Sequence, residues 1–564
     1  MTEDLRPGTG AEAVLLGLKA AGVDYLFANA GTDFPPIIEA LSTLAPDTMP
    51  QPVTIPHETA AIGMAHGYYL ATGQMQAVMV HVNVGLANAV MGVLNAASDN
   101  VPVIVMSGRT PLTEVGRAGS RASPIQYGQE MYDQAGLVSD VVKFHYELRY
   151  PEQAGMLVTR AATLAGSAPE GPVYLSLPRE ALTETIPAEA EIPANPQAPS
   201  RPAQADPQGL AQLADWLSRA QSPLIVTQRG DPQGRLGPAL TRFANRFAVA
   251  VTEPFSIRNV MAWDDPMFAG HDPAAVRGAD LVIVLDADVP WIEKLHAPGP
   301  GTRIVHIGPD PQFGRMPVRG YRTDLAITAD PALALEALTP LIPQTDVADR
   351  HATLTARSAN RRDNLIAAAR TGANRPMSAE WLSLCLAEAL PKDALVFSEL
   401  GALPGLMRPS RANQIFANPH SGGLGWALPA ALGAQLADRD RMVTACVGDG
   451  SYMFANPTAC HQIAEALRLP VLTIVKNNGL WNAVRRSVKD GYPDGAAARA
   501  NVMPLTSLQP APDYLKVAEA SRAHTERVRD GRDLPDALDR ALHIIRSEGR
   551  QAMLEVEVAV SDRN

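Results

Sequence analysis

Cysteine is scarce in this 564-residue sequence, which contains only three. All three lie in apolar helix or strand patterns without the spacing of metal ligands, at positions 385, 446 and 460. We therefore expect core thiols in a reducing cytosol. No apolar run reaches the roughly 18 residues of a membrane span, and the polar, acidic first ten residues do not resemble a secretory signal. These features predict a cytoplasmic protein without a membrane partner.

Positive charge is in the minority, with 48 Lys and Arg against 59 Asp and Glu, for a net charge of −11. No basic stripe offsets this excess, which argues against a nucleic-acid partner. The middle of the chain also lacks a GxGxxG fingerprint and redox cysteines. Both absences argue against a nucleotide-binding oxidoreductase, the alternative from a different functional class.

The chain is too long for one ordinary core, and its patterns divide into three blocks in which helices and strands alternate. We predict three successive parallel-sheet α/β domains at residues 1–186, 208–345 and 370–564. A Pro- and Ala-rich stretch at 187–207 has linker composition, and a charged helical segment at 349–370 precedes the third block.

The third block contains Gly448-Asp449-Gly450, followed after 26 residues by Asn477-Asn478. Around them, apolar patterns predict a strand, a helix and a second strand at residues 442–447, 456–467 and 471–475. A right-handed crossover would make the two strands parallel neighbours, with Asp449 and Asn478 at their carboxyl ends. A carboxylate, an amide oxygen and a nearby carbonyl suit a Mg²⁺ ion that also binds phosphate oxygens. The alternative is a tight turn beside a chance Asn pair.

This spacing resembles the GDG–NN signature of thiamine-diphosphate (ThDP) enzymes. A second segment, from His57-Glu58-Thr59-Ala60-Ala61 to Gly73, resembles the helix of their pyrimidine-binding domain. The resemblance implies that Glu58 activates the cofactor through N1′ of its aminopyrimidine. The alternative for Glu58 is an acidic residue in the first turn of a helix, where the helix dipole favours it.

The resemblance covers essentially the whole chain and is closest to the acetolactate synthase and benzoylformate decarboxylase branch. Its three domains bind the pyrimidine, form a central domain and bind the diphosphate. The block from Ser421 to Ala431 resembles a segment in which an apolar residue beneath the cofactor bends it, and Leu424 takes that position beside Gly423. An ordinary core leucine is the alternative. The branch also implies a homodimer or homotetramer with active sites between subunits.

The same resemblance implies the remaining cofactor contacts. The Leu480 carbonyl would be the third protein ligand of Mg²⁺, after Asp449 and Asn478. Acetolactate synthases carry Gln and His after the glycine equivalent to Gly401, but this chain has Ala402 and Leu403 there. The diphosphate contacts of that loop are therefore open. Expected diphosphate-side residues are Gly401, Gly448, Gly450 and Ser451.

Three residues resemble substrate-side positions of different relatives. His81 falls where benzoylformate decarboxylase has an active-site histidine, and a histidine there can donate a proton or orient a carboxylate. Thr32 matches that enzyme's substrate-binding serine, whereas Gln129 matches a glutamine of acetolactate synthase and benzaldehyde lyase. The alternatives are a satisfied strand-end histidine for His81 and a helix cap for Thr32.

The sequence thus predicts a ThDP- and Mg²⁺-dependent enzyme that decarboxylates a small 2-oxo acid. We expect transfer of the aldehyde unit to an aldehyde or 2-oxo acid acceptor, as in acetolactate synthase. The alternative is release of a free aldehyde, as in benzoylformate decarboxylase. A non-catalytic relative is disfavoured because Glu58, Asp449 and Asn478 are present. An FAD site is not evident, and no C-terminal segment resembles the lid of CoA-ester lyases.

Overall fold

The computed structural model describes residues 6–190, 197–344 and 346–562. Within these ranges the chain forms three six-stranded sheets, and every strand pairs parallel to its neighbours. The predicted fold class, three successive parallel-sheet α/β domains, is confirmed. The domain boundaries stay a prediction. Residues 1–5, 345 and 563–564 of the predicted domains and 191–196 of the predicted linker lie outside the described residues.

The first sheet has the strand order β2-β1-β3-β4-β6-β5. Its strands are β1 (Tyr25–Ala28), β2 (Gln51–Thr54), β3 (Gln76–Val80), β4 (Val103–Arg109), β5 (His145–Glu147) and β6 (Val173–Pro178). The accompanying helices are α1 (Gly10–Ala20), α2 (Pro35–Thr43), α3 (Glu58–Thr72), α4 (Val82–Ser98), α5 (Ile125–Gly128), α6 (Ala154–Ala165) and α7 (Arg179–Thr183).

The second sheet has the strand order β12-β11-β10-β7-β8-β9. Its strands are β7 (Pro223–Thr227), β8 (Ala250–Thr252), β9 (Phe268–Gly270), β10 (Leu281–Leu285), β11 (Arg303–Gly308) and β12 (Leu325–Thr328). The helices here are α8 (Pro207–Arg219), α9 (Leu236–Phe247), α10 (Glu293–His296), α11 (Pro331–Leu338) and α12 (Ala348–Arg370).

The third sheet has the strand order β14-β13-β15-β16-β18-β17. Its strands are β13 (Leu395–Glu399), β14 (Ile415–Ala417), β15 (Val443–Gly448), β16 (Leu472–Asn477), β17 (His524–Val528) and β18 (Ala552–Glu557). The helices in this part of the chain are α13 (Ala379–Ala389), α14 (Ala427–Ala437), α15 (Asp449–Phe454), α16 (Pro457–Ala466), α17 (Asn482–Gly491), α18 (Ala496–Arg499), α19 (Tyr514–Glu519) and α20 (Leu534–Glu548).

Buried apolar runs explain the central strands. Every residue of β3, β4, β10 and β15 is buried, as expected where helices cover both faces of a parallel sheet. Strands β15 and β16 are parallel neighbours with Gly448 opposite Lys476, which confirms the predicted strand–helix–strand unit. The sequence patterns did not predict the short helix α15 between them.

The strand orders place a crevice at the carboxyl edge of each sheet. In the first and third sheets the chain reverses its direction across the sheet between β1 and β3, and between β13 and β15. In the second sheet the reversal lies between β7 and β10. Loops leaving adjacent strand ends diverge at such a point, and ligands of open α/β sheets bind there.

By its contacts the chain divides into two compact units, residues 1–201 with 419–438, and residues 202–418 with 439–564. In the first unit α3 and α14 pack backbone to backbone. A Cβ atom on Gly67 would lie 1.8 Å from the Ala430 carbonyl oxygen, and one on Gly433 would lie 1.9 Å from that of Met64. Helix α14 therefore belongs with α3 even though about 350 residues separate them.

All three cysteines are free and buried, which confirms the prediction of core thiols. Burial raises the pKa of the Cys385 and Cys446 thiols to about 12, so neither is a ready nucleophile. Among the helices of the described ranges, none combines the length and the apolar character that crossing a membrane needs.

Glu253, just after β8, is a fully buried carboxyl group. Its Oε1 accepts hydrogen bonds from the Val260 and Met261 backbone N–H groups, at 3.0 and 2.6 Å. Burial raises its pKa to about 8. The adjacent His271 donates from Nδ1 to the Glu253 carbonyl oxygen at 2.9 Å, and burial lowers its pKa to about 4. Both side chains are therefore neutral at pH 7.

We predict that Glu253→Gln removes part of the pH dependence of stability. The unfolded chain loses this proton near pH 4.5 and the folded chain near pH 8, so the stability from Glu253 is complete below about pH 4.5 and lost as pH rises to about 8. The variant should be more stable by about 1–3 kcal/mol at neutral pH. Thermal unfolding of both proteins at about pH 5 and about pH 8 measures this. The prediction would be wrong if the stability of the two proteins changed by the same amount between these pH values.

Candidate active site

The Glu58 cluster comprises Thr32, Asp33, Glu58, His81 and Gln129, all in the first compact unit. Glu58 is the first residue of α3 and is 9% exposed. Its Oε2 accepts a hydrogen bond from the Asn88 side-chain amide at 3.2 Å. A Cβ on Gly85 of α4 would lie 3.3 Å from the Glu58 Oε1, so that glycine leaves room for the carboxyl group.

His81 follows β3 and precedes α4, as the sequence predicts. Its Nδ1 hydrogen-bonds to the Asp33 Oδ1, and the other Asp33 oxygen accepts the Val82 N–H at 3.1 Å. The hydrogen bond with Asp33 raises the pKa of His81, burial opposes the shift, and the charges of Asp33 and Glu58 add to it. His81 is thus biased towards its protonated form.

Gln129 lies beside the other ring nitrogen of His81, with its Nε2 3.1 Å from the His81 Nε2. The neighbouring Glu130 anchors this loop. It forms an ion pair with Arg109 at 2.5 Å, accepts a hydrogen bond from Thr110 at 2.8 Å and pairs with Arg121. The ion cluster at the end of β4 therefore holds Gln129 against the histidine.

Thr32 is exposed at the same carboxyl edge of the sheet. It does not cap α2, because that helix begins at Pro35 with Phe34 at the N-cap position and no side-chain hydrogen bond there. The capping alternative is therefore wrong, and a substrate contact for Thr32 stays a prediction.

The loop that carries Leu424 is fixed to α4. The Asn95 side chain donates to the Gly423 carbonyl oxygen at 2.9 Å and accepts from the Ser421 hydroxyl at 2.6 Å. Gly422 and Gly425 have φ of +69° and +88°, in the left-handed region that favours glycine. Leu424, which lies between these two turns, is half-buried.

The Asp449 cluster lies in the second compact unit and comprises Gly401, Gly448–Ser451, Lys476 and Asn477–Leu480. Asp449 is 3% exposed, and its carboxylate accepts the Gly450 and Gly479 N–H groups at 2.9 and 2.8 Å. The second bond joins the loops that follow β15 and β16. Burial raises the pKa of Asp449, because desolvation disfavours the charge, and a bound cation would counter this.

The Asn pair continues from the end of β16. The Asn478 Oδ1 accepts the Leu480 N–H at 3.0 Å, and the Asn477 Oδ1 accepts the Gly479 N–H at 2.9 Å. The Asn477 Nδ2 also donates to Glu555 at 2.8 Å. The Asn477 Nδ2 thus contacts β18, while its Oδ1 shares the Gly479 N–H with Asp449. The role of Asn478 as a metal ligand stays a prediction.

These residues fit a Mg²⁺–diphosphate. The Ser451 hydroxyl is buried and has no hydrogen-bond partner among the described residues, which suits a phosphate oxygen. A Cβ on Gly450 would lie 2.1 Å from the Trp481 ring, so only glycine fits there. Lys476 donates to the Gly401 carbonyl oxygen at 3.0 Å, which brings its amino group to that loop, and burial lowers its pKa. In the described ranges no three His, Cys, Asp or Glu side chains are grouped for a metal, but the predicted ligands include one carboxylate only.

Charged side chains of the chain itself fill the crevice of the central sheet. The Arg229 Nη2 lies 3.3 Å from the Asp288 Oδ2, and both side chains are 5% exposed. Arg319 donates to the Asp288 and Ala287 carbonyl oxygens at 2.8 and 3.0 Å. The expectations that FAD is not evident and that the chain is not a nucleotide-binding oxidoreductase stay predictions.

Family models match the chain in three segments. The thiamine pyrophosphate enzyme N-terminal TPP binding domain matches residues 8–137, the central domain 210–338 and the C-terminal TPP binding domain 401–556. The chain belongs to the thiamine pyrophosphate enzyme family. ThDP is therefore its cofactor. Mg²⁺ stays a prediction that rests on the Asp449 cluster.

Two relatives show which branch of this family the chain resembles. It is 26% identical over 557 residues to the acetolactate synthase large subunit of Parasynechococcus marenigrum (strain WH8102), covering 94% of this chain and 85% of that protein. It is 28% identical over 502 residues to benzoylformate decarboxylase of Pseudomonas aeruginosa, covering 83% and 85%. The chain is thus an enzyme of the decarboxylase and acetolactate synthase group of ThDP enzymes.

A solved structure supports the fold. The thiamine diphosphate-dependent 4-hydroxybenzoylformate decarboxylase of Rhodococcus jostii RHA1 has a TM-score of 0.80 to this chain at 23% identity. The match covers 98% of this chain and 100% of that protein.

Sequence reasoning missed the residues that position the predicted ones. Asn88 holds Glu58, Asn95 holds the Leu424 loop, Asp33 holds His81 and Lys476 reaches the Gly401 loop. Two of these had a local signal. Asp33 follows Thr32 directly, and Lys476 precedes the Asn pair. The two asparagines lie inside helix α4, where nothing in the sequence marks them.

We predict that Asp449→Ala and Asn478→Ala each lower ThDP affinity by at least about 100-fold, or roughly 2.7 kcal/mol, because each removes an expected metal ligand. Excess Mg²⁺ should partly restore ThDP binding in Asn478→Ala and restore it less in Asp449→Ala. Calorimetric titration with ThDP, with and without Mg²⁺, measures both effects.

Asn482→Ala is the matched control for these variants. Its side chain donates to the Ser561 carbonyl oxygen at 2.8 Å and lies outside the Asp449 cluster. This variant should bind ThDP normally. Unchanged affinity in both cluster variants would remove the metal assignment.

Proposed function

We propose that this chain uses ThDP and Mg²⁺ to decarboxylate a small 2-oxo acid, and that His81 then protonates the product so that an aldehyde is released. The observation that carries the proposal is the hydrogen bond between His81 and the buried carboxylate of Asp33. Histidine titrates near neutrality and this partner favours its protonated form, which suits a general acid.

The other roles follow from the two clusters. When bound, ThDP supplies the electron sink for loss of carbon dioxide. Glu58 would hold the aminopyrimidine nitrogen through its carboxyl group, oriented by Asn88, and Leu424 with Gly423 would support the ring system. Asp449, Asn478 and the Leu480 carbonyl would hold Mg²⁺. The diphosphate would be held by Gly401, Gly448, Gly450 and Ser451.

Transfer to an acceptor, as the sequence predicts, is the second candidate. Gln129 favours it, because its amide lies beside the His81 Nε2 and is available to hydrogen-bond an acceptor carbonyl group. The relatives named above include both an acetolactate synthase and a benzoylformate decarboxylase, which supports a 2-oxo acid donor for either outcome. We further propose a homodimer or homotetramer with active sites between subunits, by resemblance to that branch.

We predict that Glu58→Gln keeps ThDP bound but lowers turnover by about 10²- to 10⁴-fold, because an amide cannot exchange the proton at the cofactor nitrogen. Calorimetry gives the ThDP affinity and steady-state kinetics the turnover. Asn88→Ala leaves the Glu58 carboxyl group but removes its hydrogen bond, so it should lower turnover less than Glu58→Gln does. A correctly folded Glu58→Gln protein with near-normal turnover would exclude this role.

Product analysis with a panel of 2-oxo acids, with and without aldehyde acceptors, tests the reaction and its outcome. His81→Ala should slow aldehyde release and raise the ratio of ligated product to free aldehyde. Gln129→Leu should lower that ratio while carbon dioxide release changes little. A barrier change of about 1.4 kcal/mol alters such a ratio tenfold.

Because the two side chains are in contact, their substitutions are not independent, and the double variant completes the comparison. Gln126→Leu on the same loop tests for loss of loop order, since its Oε1 accepts the Ala122 N–H at 2.6 Å. Shifts of the ratio in the same direction in both single variants would contradict the opposed roles. Absence of products from every 2-oxo acid would reject the proposed function.

A further inference from the structure

Asp33 is a buried carboxylate at the crevice between β1 and β3, with no role assigned to it by sequence reasoning. It is 4% exposed. Its two oxygens have separate tasks, since Oδ1 pairs with the His81 Nδ1 and Oδ2 accepts the Val82 N–H at 3.1 Å. One side chain therefore holds both the imidazole ring and the backbone turn that carries it.

Two glycines make room for this pair. A Cβ on Gly108 of β4 would lie 1.8 Å from the Asp33 Oδ2, and one on Gly31 would lie 2.1 Å from the His81 Nδ1. Any side chain at either position would separate the carboxylate from the ring. The backbone is also constrained at this point. Val82, whose N–H donates to Asp33, has a φ of +31°, which is strained for a β-branched residue.

The hydrogen bond with Asp33 determines which ring nitrogen of His81 is available for proton transfer in the crevice. An ionised carboxylate only accepts hydrogen bonds, so the Nδ1 atom of His81 carries a proton and donates it to Asp33. Nε2 is then the ring atom that gives or takes a proton. The Gln129 amide lies 3.1 Å from Nε2, and rotation of that amide offers it either the nitrogen or the oxygen. Gln129 can thus pair with His81 in both protonation states.

The charges around the ring favour the imidazolium. The carboxylates of Asp33 and Glu58 are the titratable groups that raise the pKa of His81, whereas burial lowers it. On the Gln129 loop, the neighbouring Glu130 is already paired with Arg109 and Arg121. The negative charge that His81 experiences therefore comes from Asp33 and Glu58.

We propose that Asp33 is a positioning residue that orients His81 and keeps it protonated, so that Nε2 delivers the proton to the carbon that has lost carbon dioxide. This inference rests on the proposed function. In the decarboxylation, the bond between the substrate carbon and the carboxylate carbon breaks, and its electron pair stays with the substrate carbon. The His81 N–H bond then breaks as a C–H bond forms, and solvent returns the proton to His81. The net reaction consumes one proton and yields carbon dioxide and the aldehyde.

The test measures the pKa of His81 by NMR and the pH dependence of catalysis. NMR titration of the holoenzyme containing ¹³C-labelled histidine gives the pKa of His81, whose signal among the 12 histidines is the one missing in His81→Gln. In Asp33→Asn this pKa should fall. The alkaline limb of kcat for aldehyde release, where a protonated His81 is lost, should move to lower pH in the same direction. A purely structural role for Asp33 would lower activity at every pH without moving that limb.

Two further variants complete the design. Gly108→Ala retains both residues but moves the Asp33 carboxylate away from the His81 ring. It should shift the His81 titration and the alkaline limb in the same direction as Asp33→Asn, and it answers the question if Asp33→Asn does not fold. Asp99→Asn is the matched control, because Asp99 forms a second Asp–His pair, with the His66 Nε2 at 2.9 Å. It should leave the His81 titration and the alkaline limb unchanged.

An unchanged pKa of His81 in a folded Asp33→Asn protein would overturn the inference, and so would a shifted pKa with an unchanged limb. If the wild-type enzyme forms no aldehyde from any 2-oxo acid, the proposed function is rejected. The NMR titration would still decide whether Asp33 controls His81.

Discussion

The close contact between α3 and α14 determines the geometry of the first half of the site. Glycines at positions 67 and 433 let each backbone touch the other helix, and no side chain fits at either point. Helix α3 begins at Glu58, and α14 begins three residues after Leu424. The contact therefore sets the distance between the Glu58 carboxyl group and the Leu424 loop through backbone atoms, which cannot change rotamer.

The first and third sheets share one strand order, yet their equivalent crevices carry different chemistry. Between β1 and β3 lie an acid–base pair and a loop amide, whereas the loops after β13 and β15 carry glycines, a carboxylate and an unpartnered hydroxyl. The same strand order thus carries a paired aspartate and histidine in one place and a glycine-rich loop with a buried carboxylate in another. The side chains on the loops, and not the strand order, decide which chemistry is possible.

Much of this architecture could be predicted from the sequence, because long apolar runs and motif spacings are local signals. The strands that flank Asp449 and the helix start at Glu58 are examples. Short strands at or near sheet edges, such as β8 and β14, carry too few residues for a pattern. The pairing of Asp33 with His81 spans 48 residues and depends on Gly31 in the Asp33 loop and on Gly108 of β4. Such contacts exist only once the sheet has formed.

The discontinuity of the first compact unit has a consequence for biosynthesis. Helix α3 ends at Thr72 and its partner α14 begins at Ala427, so roughly 350 residues must be translated between them. At about 5–20 residues per second the ribosome needs roughly 20–70 s for that stretch. During this time the glycine-lined face of α3 lacks its permanent neighbour. The amino-terminal unit therefore cannot finish folding in the order of its sequence.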